Sequence, residues 1–241
     1  MPLVPNFSFF IQFESTGKVI ALSENQVILE KTIFHPQGGG QPMDYGTISS
    51  KDGSTSFKIS DLKCQGDAII HVGSFTAGSK FSEGEEVLCK IDGDFRKQNA
   101  RIHSAGHLLD VAMNRAGRTD LKPGKGYHFV EGPYVEYIGV VPEKEREPLI
   151  ADLNKHCAAL IKEANDAKAK VYRKMSSYNE ANEELKGAGG CPQYCESGKE
   201  VRVLKLIPED LGCPCGGTHV HEIGEIGEIV VLKMKKKKQN T

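Results

Sequence analysis

Through roughly the first ninety residues, short β-prone runs alternate with glycines and with Ser/Thr/Asp clusters. The runs are Lys18 to Leu22, Gln26 to Leu29, Gly46 to Ile48, Ala68 to Val72 and Glu86 to Ile91. Short apolar runs punctuated by turn signals predict an all-β sandwich or small barrel. No helical period of useful length precedes residue 95, and there the pattern changes. Ile102, Ala105, Leu109, Ala112 and Met113 recur near the helical repeat, and Gly117 is a plausible stop. A second stripe, Leu149, Ile150, Leu153, Cys157, Leu160 and Ile161, predicts another helix with Pro148 near its first turn. Strands are predicted at Val171 to Tyr172, Val201 to Ile207 and Ile226 to Leu232. The expected architecture is therefore α+β: a β-rich unit over residues 1–94, then a mixed α/β unit over 95–241 ending in a basic tail at 233–241.

Composition narrows the function classes. The 241 residues carry 31 Lys and Arg against 32 Asp and Glu, a net charge of −1, which excludes a strongly basic nucleic-acid coat but not a local basic face. No run approaches the length of about 18–20 apolar residues needed to span a membrane. The N-terminus has neither the charged start nor the apolar stretch of a secretion signal. Seven cysteines without such a signal point to the reducing cytosol, where clustered cysteines hold metal more often than they form disulfides. A cytoplasmic protein is the expectation.

The sharpest chemical feature is His103-Ser-Ala-Gly-His107. Residues four apart emerge from one face of a helix, so the two imidazoles can grip one ion. Near the C-terminus stands Cys213-Pro-Cys215-Gly-Gly-Thr-His219-Val-His221, whose glycines let the backbone turn so that Cys215 and His219 converge. Three imidazoles and a thiolate suit Zn²⁺, and His103, His107, Cys215 and His219 are the expected ligands of one ion per chain. Cys213 is an alternative to Cys215, which the spacing to His219 favours, and His221 is a further possible donor. Cys191-Pro-Gln-Tyr-Cys195 has no histidine nearby in sequence and reads as a loop feature. A third motif, Thr32-Ile-Phe-His-Pro-Gln-Gly38-Gly39-Gly40-Gln41-Pro-Met-Asp44, is either a tight turn or a loop that must approach a ligand closely.

His103-Ser-Ala-Gly-His107 followed by Cys215-Gly-Gly-Thr-His219, with the Gly38-Gly39-Gly40-Gln41 segment in front, resembles the editing domain of alanyl-tRNA synthetase. Without a class II catalytic core, the chain is similar to the free-standing AlaX proteins, from about Thr32 to Leu232 and in the same motif order. The resemblance implies a small β-barrel-like domain before a zinc-containing editing domain. It implies a hydrolase that cleaves the ester between the wrong amino acid, chiefly serine with glycine as a second candidate, and the 3′ end of tRNA(Ala); the alternative is a zinc-containing tRNA-binding module that has lost catalysis. It places His103, His107, Cys215 and His219 on the family's zinc ligands and the glycine-rich segment near the editing pocket. Two positions depart from the pattern. Gly106 stands where synthetase editing domains often carry threonine, and His35 where many relatives have tyrosine.

Cognate alanine is smaller than serine, so the pocket has to reward a hydroxyl rather than exclude by size. Thr32, Ser104 and Thr218 are candidates for that contact. Gly38, Gly39, Gly40 and Gln41 are expected near the substrate, and Arg101, with Arg96 and Lys97, near acceptor-stem phosphates. The segment Gly124 to Phe129 is a further candidate pocket wall, its bland reading a hairpin turn, and Glu136 a candidate contact for the substrate ammonium.

Overall fold

Six strands whose apolar residues point to one side close into an antiparallel barrel, in the order β1-β2-β5-β4-β3-β6 with β1 returning to β6. They are β1 (Glu14–Leu22), β2 (Gln26–Leu29), β3 (Gly46–Ser50), β4 (Ser56–Gln65), β5 (Ala68–Ala77) and β6 (Glu86–Ile91). The computed structural model describes residues 12–77 and 79–236. Val27, Phe34, Ile48, Phe57 and Val87 have no exposed surface and form the centre of the barrel. Each such side chain contributes about 1.5–3 kcal/mol by leaving water. Strand β4 has no counterpart in the sequence reading. Its buried positions run Phe57, Ile59, Leu62, and a bulge between Ile59 and Asp61 throws the alternation out of step.

Helix α1 (Gly93–Arg115) follows at once, capped by the Asp92 carboxylate, which accepts from Phe95 N at 3.0 Å. It ends where Gly117 turns with φ +72°. Its first half buries Arg96, Asn99, His103 and Ser104, and its second half buries Leu108, Val111, Ala112 and Met113. The apolar half packs with Leu149, Leu153, Cys157 and Leu160 of α2 (Glu143–Asp166) in one core. Pro148 lies inside α2 rather than in its first turn, because the helix starts five residues earlier at Glu143.

Between the two helices runs a hairpin, β7 (Lys122–Tyr127) with β8 (Tyr134–Ile138). After α2, β9 (Tyr172–Ser177), β10 (Glu200–Lys205) and the two-residue β11 (Cys213–Pro214) form a sheet in the order β11-β10-β9. A short α3 (Tyr178–Glu184) starts in a capping box in which Ser177 and Glu180 bond reciprocally. The protein is thus α+β, with a small closed barrel and, among the described residues, three α-helices and mixed structure around them.

The strand expected at Ile226 to Leu232 is absent. The segment has no strand partner, and the Asn154 side chain of α2 serves instead: Val231 N donates to Oδ1 at 2.7 Å and Nδ2 donates to Val231 O at 3.2 Å. Of the basic tail, residues 237–241 lie outside the described residues.

Candidate metal centre

Three stretches far apart in sequence meet at the polar half of α1. His103 and His107 come from the helix, Cys215 and His219 from the loop after β11, and their donor atoms all lie within 4.8 Å of one another. A tetrahedron with metal–ligand bonds of about 2.0–2.3 Å has edges of about 3.3–3.8 Å. Cys215 Sγ lies 3.5 Å from His103 Nε2 and 3.2 Å from His219 Nε2, close to those edges.

The hydrogen bonds around the rings decide which nitrogen faces inward. Gln41 Oε1 accepts from Thr218 N at 2.8 Å and therefore also accepts from His103 Nδ1, likewise at 2.8 Å. That leaves the His103 Nε2 lone pair directed at the thiol. His219 turns Nδ1 to Ser104 Oγ at 3.3 Å, and Ser104 Oγ is fixed by Val220 N at 3.1 Å. His107 turns Nδ1 toward Cys213 Sγ at 3.5 Å, while its buried Nε2 has no hydrogen-bond partner among the described residues. Outer nitrogens engaged and inner nitrogens spare is the arrangement that metal-binding histidines adopt. Cys213 thus lies on the outer side of His107, and neither it nor His221 belongs to the donor cluster.

Burial favours the neutral imidazoles that such a site requires. His103 and His219 are held well below the ordinary histidine range by desolvation, then by the neighbouring rings, and desolvation brings His107 down to about 4. Burial raises the Cys215 thiol, and the Arg202 guanidinium beside it favours the thiolate. Arg202 Nε donates to Cys215 O at 2.7 Å and Nη2 to Gly217 O, so this β10 arginine also shapes the loop. The sequence reading passed over it; the signal was a lone cation inside the apolar run Val201-Arg202-Val203.

The glycine motif is a tight turn whose end reaches the centre. Gly38 and Gln41 exchange backbone hydrogen bonds, and Gly39 and Gly40 between them have φ of +58° and +80°. Gln41 emerges fully buried, and its Nε2 donates to Thr218 Oγ1 at 2.9 Å. Gly217 is held to glycine by proximity, since a Cβ there would collide with the His103 ring and lie 2.9 Å from Gln41 Oε1. Asp44 anchors the other end of the segment. It pairs with Arg96 through Nε at 2.9 Å and through Nη2, with both residues at most 2% exposed. Arg96 is thereby withdrawn from phosphate contact, and the buried ion pair joins α1 to the glycine turn.

The structure brings Gly40, Gln41, Ser104 and Thr218 to the donor cluster or its immediate neighbours. Thr32 instead bonds His71 Nε2 at 2.8 Å in the barrel, and Arg101 bonds Ile226 O through Nε and Nη2. Gly124, Gly126 and Tyr127 belong to β7, and His128 lies against His103 with ring centroids 4.3 Å apart. Glu136 is on β8, paired with β7, and Cys191 and Cys195 pack beside α3 and β10.

The chain matches two family models, tRNA synthetases class II (A) over residues 6–95 and the threonyl and alanyl tRNA synthetase second additional domain over residues 201–241. It is 31% identical over 221 residues to the alanyl-tRNA editing protein AlaX-M of Pyrococcus horikoshii, covering 91% of this chain and 85% of that protein. The chain belongs to the AlaX-type alanyl-tRNA editing family. It is also 29% identical over 234 residues to the alanine–tRNA ligase of Ignicoccus hospitalis and 31% identical over 231 residues to that of Burkholderia mallei. Those alignments take in 92% and 91% of this chain but only 23% and 24% of the ligases. Among the described residues no helix is long and apolar enough to cross a membrane.

Proposed function

We propose that the protein is an aminoacyl-tRNA deacylase that acts on tRNA(Ala) wrongly carrying serine, and also glycine, in the cytoplasm, with one Zn²⁺ held by His103, His107, Cys215 and His219. The observation that carries this reading is the closed donor set, three inward imidazoles and a thiol, in a chain that aligns with most of an alanyl-tRNA editing protein. The ligases align with nearly all of this chain over about a quarter of their own length.

Zn²⁺ bound there supplies a Lewis acid and a fixed positive charge beside the ester. The three nitrogens and one sulfur would be the four donors that such an ion takes in a closed site. The chain's own part is therefore to bind and orient the 3′ end. Gln41 and Ser104 hold the His103 and His219 rings in register, and Arg202 sets the loop that presents Cys215, Gly217 and Thr218. Asp110, the carboxylate beside His107, is on its outer side at 4.0 Å and accepts from Tyr137 OH. The base for the attacking water is then drawn from the substrate's own vicinal hydroxyl or amino group. In this reading the glycine turn Gly38, Gly39 and Gly40 faces the incoming 3′ end, whereas Thr32 and Arg101 are engaged within the protein, by His71 and Ile226 O.

The test is hydrolysis of seryl-, glycyl- and alanyl-tRNA(Ala) with and without a chelator. Loss of the seryl ester with the alanyl ester spared, and loss of activity on metal removal, is the expected outcome. A protein that binds tRNA but spares every ester would instead support the inactive binding module.

A further inference from the structure

His128 stands against the donor cluster without belonging to it. Its ring stacks on His103 with the planes 21° apart, and the residue is only 5% exposed. Among the described residues neither ring nitrogen makes a hydrogen bond. Neither nitrogen is among the atoms sealed from solvent without a partner, so the imidazole edge opens toward the site and can meet a ligand there.

Three glycines make room for the ring. On α1, a Cβ at Gly106 would lie 2.5 Å from His128 Cε1 and 3.1 Å from Nδ1. On β7, a Cβ at Gly126 would collide with Nε2, and one at Gly40 would lie 3.2 Å from Cδ2. The same glycine turn accepts the His128 backbone N–H through Gly40 O at 2.8 Å. Residue 106 falls between the helical donors, three after His103 and one before His107, and therefore on their face of α1. The helix is bare at that point, and the hairpin delivers an imidazole into the gap. Tyr127 and Phe129, on either side of His128 in sequence, stack on each other instead at 4.5 Å.

The hydroxyls near the centre are already engaged within the protein. Ser104 Oγ meets Val220 N and His219 Nδ1, Thr218 Oγ1 accepts from Gln41, and Thr32 Oγ1 meets His71 and Phe34 N. We propose that His128 determines specificity: its imidazole edge hydrogen-bonds the side-chain hydroxyl of the seryl group. This rests on the deacylase reading above. An alanyl group makes no such bond and leaves the imidazole unsatisfied, so the site selects by an unmade hydrogen bond and not by volume.

The experiment compares kcat/KM on seryl- and glycyl-tRNA(Ala), with zinc content measured for every variant. His128→Phe keeps the stacked ring and the filled glycine cradle but has no nitrogen. Its seryl rate is expected to fall about 10- to 100-fold, with the glycyl rate and zinc content unchanged. His128→Asn restores part of the seryl rate, and Gly106→Ala, which displaces the ring, lowers the seryl rate more than the glycyl rate. If His128→Phe lowers both rates equally, or neither, while the wild type edits serine, this inference alone is overturned. A wild type that cleaves neither ester overturns the deacylase reading and this inference with it.

Discussion

Replacing Gln41 with alanine tests whether the barrel has a part in the metal centre. The side chain is fully buried and makes three hydrogen bonds, two accepted by Oε1 from His103 Nδ1 and Thr218 N and one donated by Nε2 to Thr218 Oγ1. Alanine removes all three and leaves two buried donors, the His103 Nδ1–H and the Thr218 N–H, without their acceptor. Each orphaned donor costs about 1–3 kcal/mol, so with some relief from water in the vacated space the loss is about 2–4 kcal/mol. At about 2–4 °C per kcal/mol for a chain of this size, the metal-free protein melts roughly 5–15 °C lower. The His103 ring also loses the partner that sets its tautomer, and zinc affinity falls about 10- to 100-fold. Glutamate at the same position keeps the acceptor oxygen and loses only the donor, so Gln41→Glu binds zinc more tightly than Gln41→Ala. Titration of zinc against a chromophoric chelator, alongside thermal melting, measures both effects. A Gln41→Ala protein with wild-type zinc affinity and melting temperature refutes the bridging role assigned to this side chain.

Cys215→Ala abolishes zinc binding and deacylation, whereas Cys213→Ala, outside the donor set, retains metal; elemental analysis with the hydrolysis assay separates them, and full metal-free activity of Cys215→Ala ends the zinc reading. Arg96→Met leaves Asp44 buried without its partner and lowers stability by about 3–5 kcal/mol in urea unfolding, part of which the double variant Arg96→Met/Asp44→Leu recovers. An unshifted single variant contradicts the buried pair. Burial lowers His71 from 6.5 to about 4, against the opposing pull of the Val27 carbonyl. The unfolded chain therefore binds this proton first as pH falls, so the stability contribution of His71 is whole above pH 6.5 and is lost on the way down to about 4. Urea midpoints of the metal-free protein at pH 7.5 and pH 5 are expected to differ by less in His71→Gln than in the wild type, and equal differences refute the assignment.

Much of the barrel was legible because most of its strands are short, regular and bounded by turn residues. Strand β4 escaped because one bulged residue moves Leu62 onto the face that strict alternation gives to Asp61. The end of the chain misled for another reason. Ile226 to Leu232 has the composition of a strand, but composition cannot say that Asn154, on a helix more than seventy residues earlier, will satisfy its backbone. For the site, spacing alone marked His103, His107, Cys215 and His219, because four-residue intervals on a helix and across a glycine turn are local geometry. The supports were not legible in the same way. Gln41, Arg202 and His128 act across 62, 13 and 25 residues of chain respectively, on His103, Cys215 and His103. Gln41 comes from the glycine turn of the barrel unit, Arg202 from β10 and His128 from beside the β7–β8 hairpin, and only the folded chain brings them there.

The two halves of the donor set are 112 residues apart. During synthesis a chain emerging from the ribosome first offers a lone pair of histidines on one helix, enough for a loose and exchangeable grip on an ion. The thiol and the third ring arrive after α2 and the β9–β10 pair have been made. If the cluster holds an ion, tight capture is therefore postponed until α2 and the β9–β10 pair have been translated and folded, and a chain cut short before Cys215 would give that metal back.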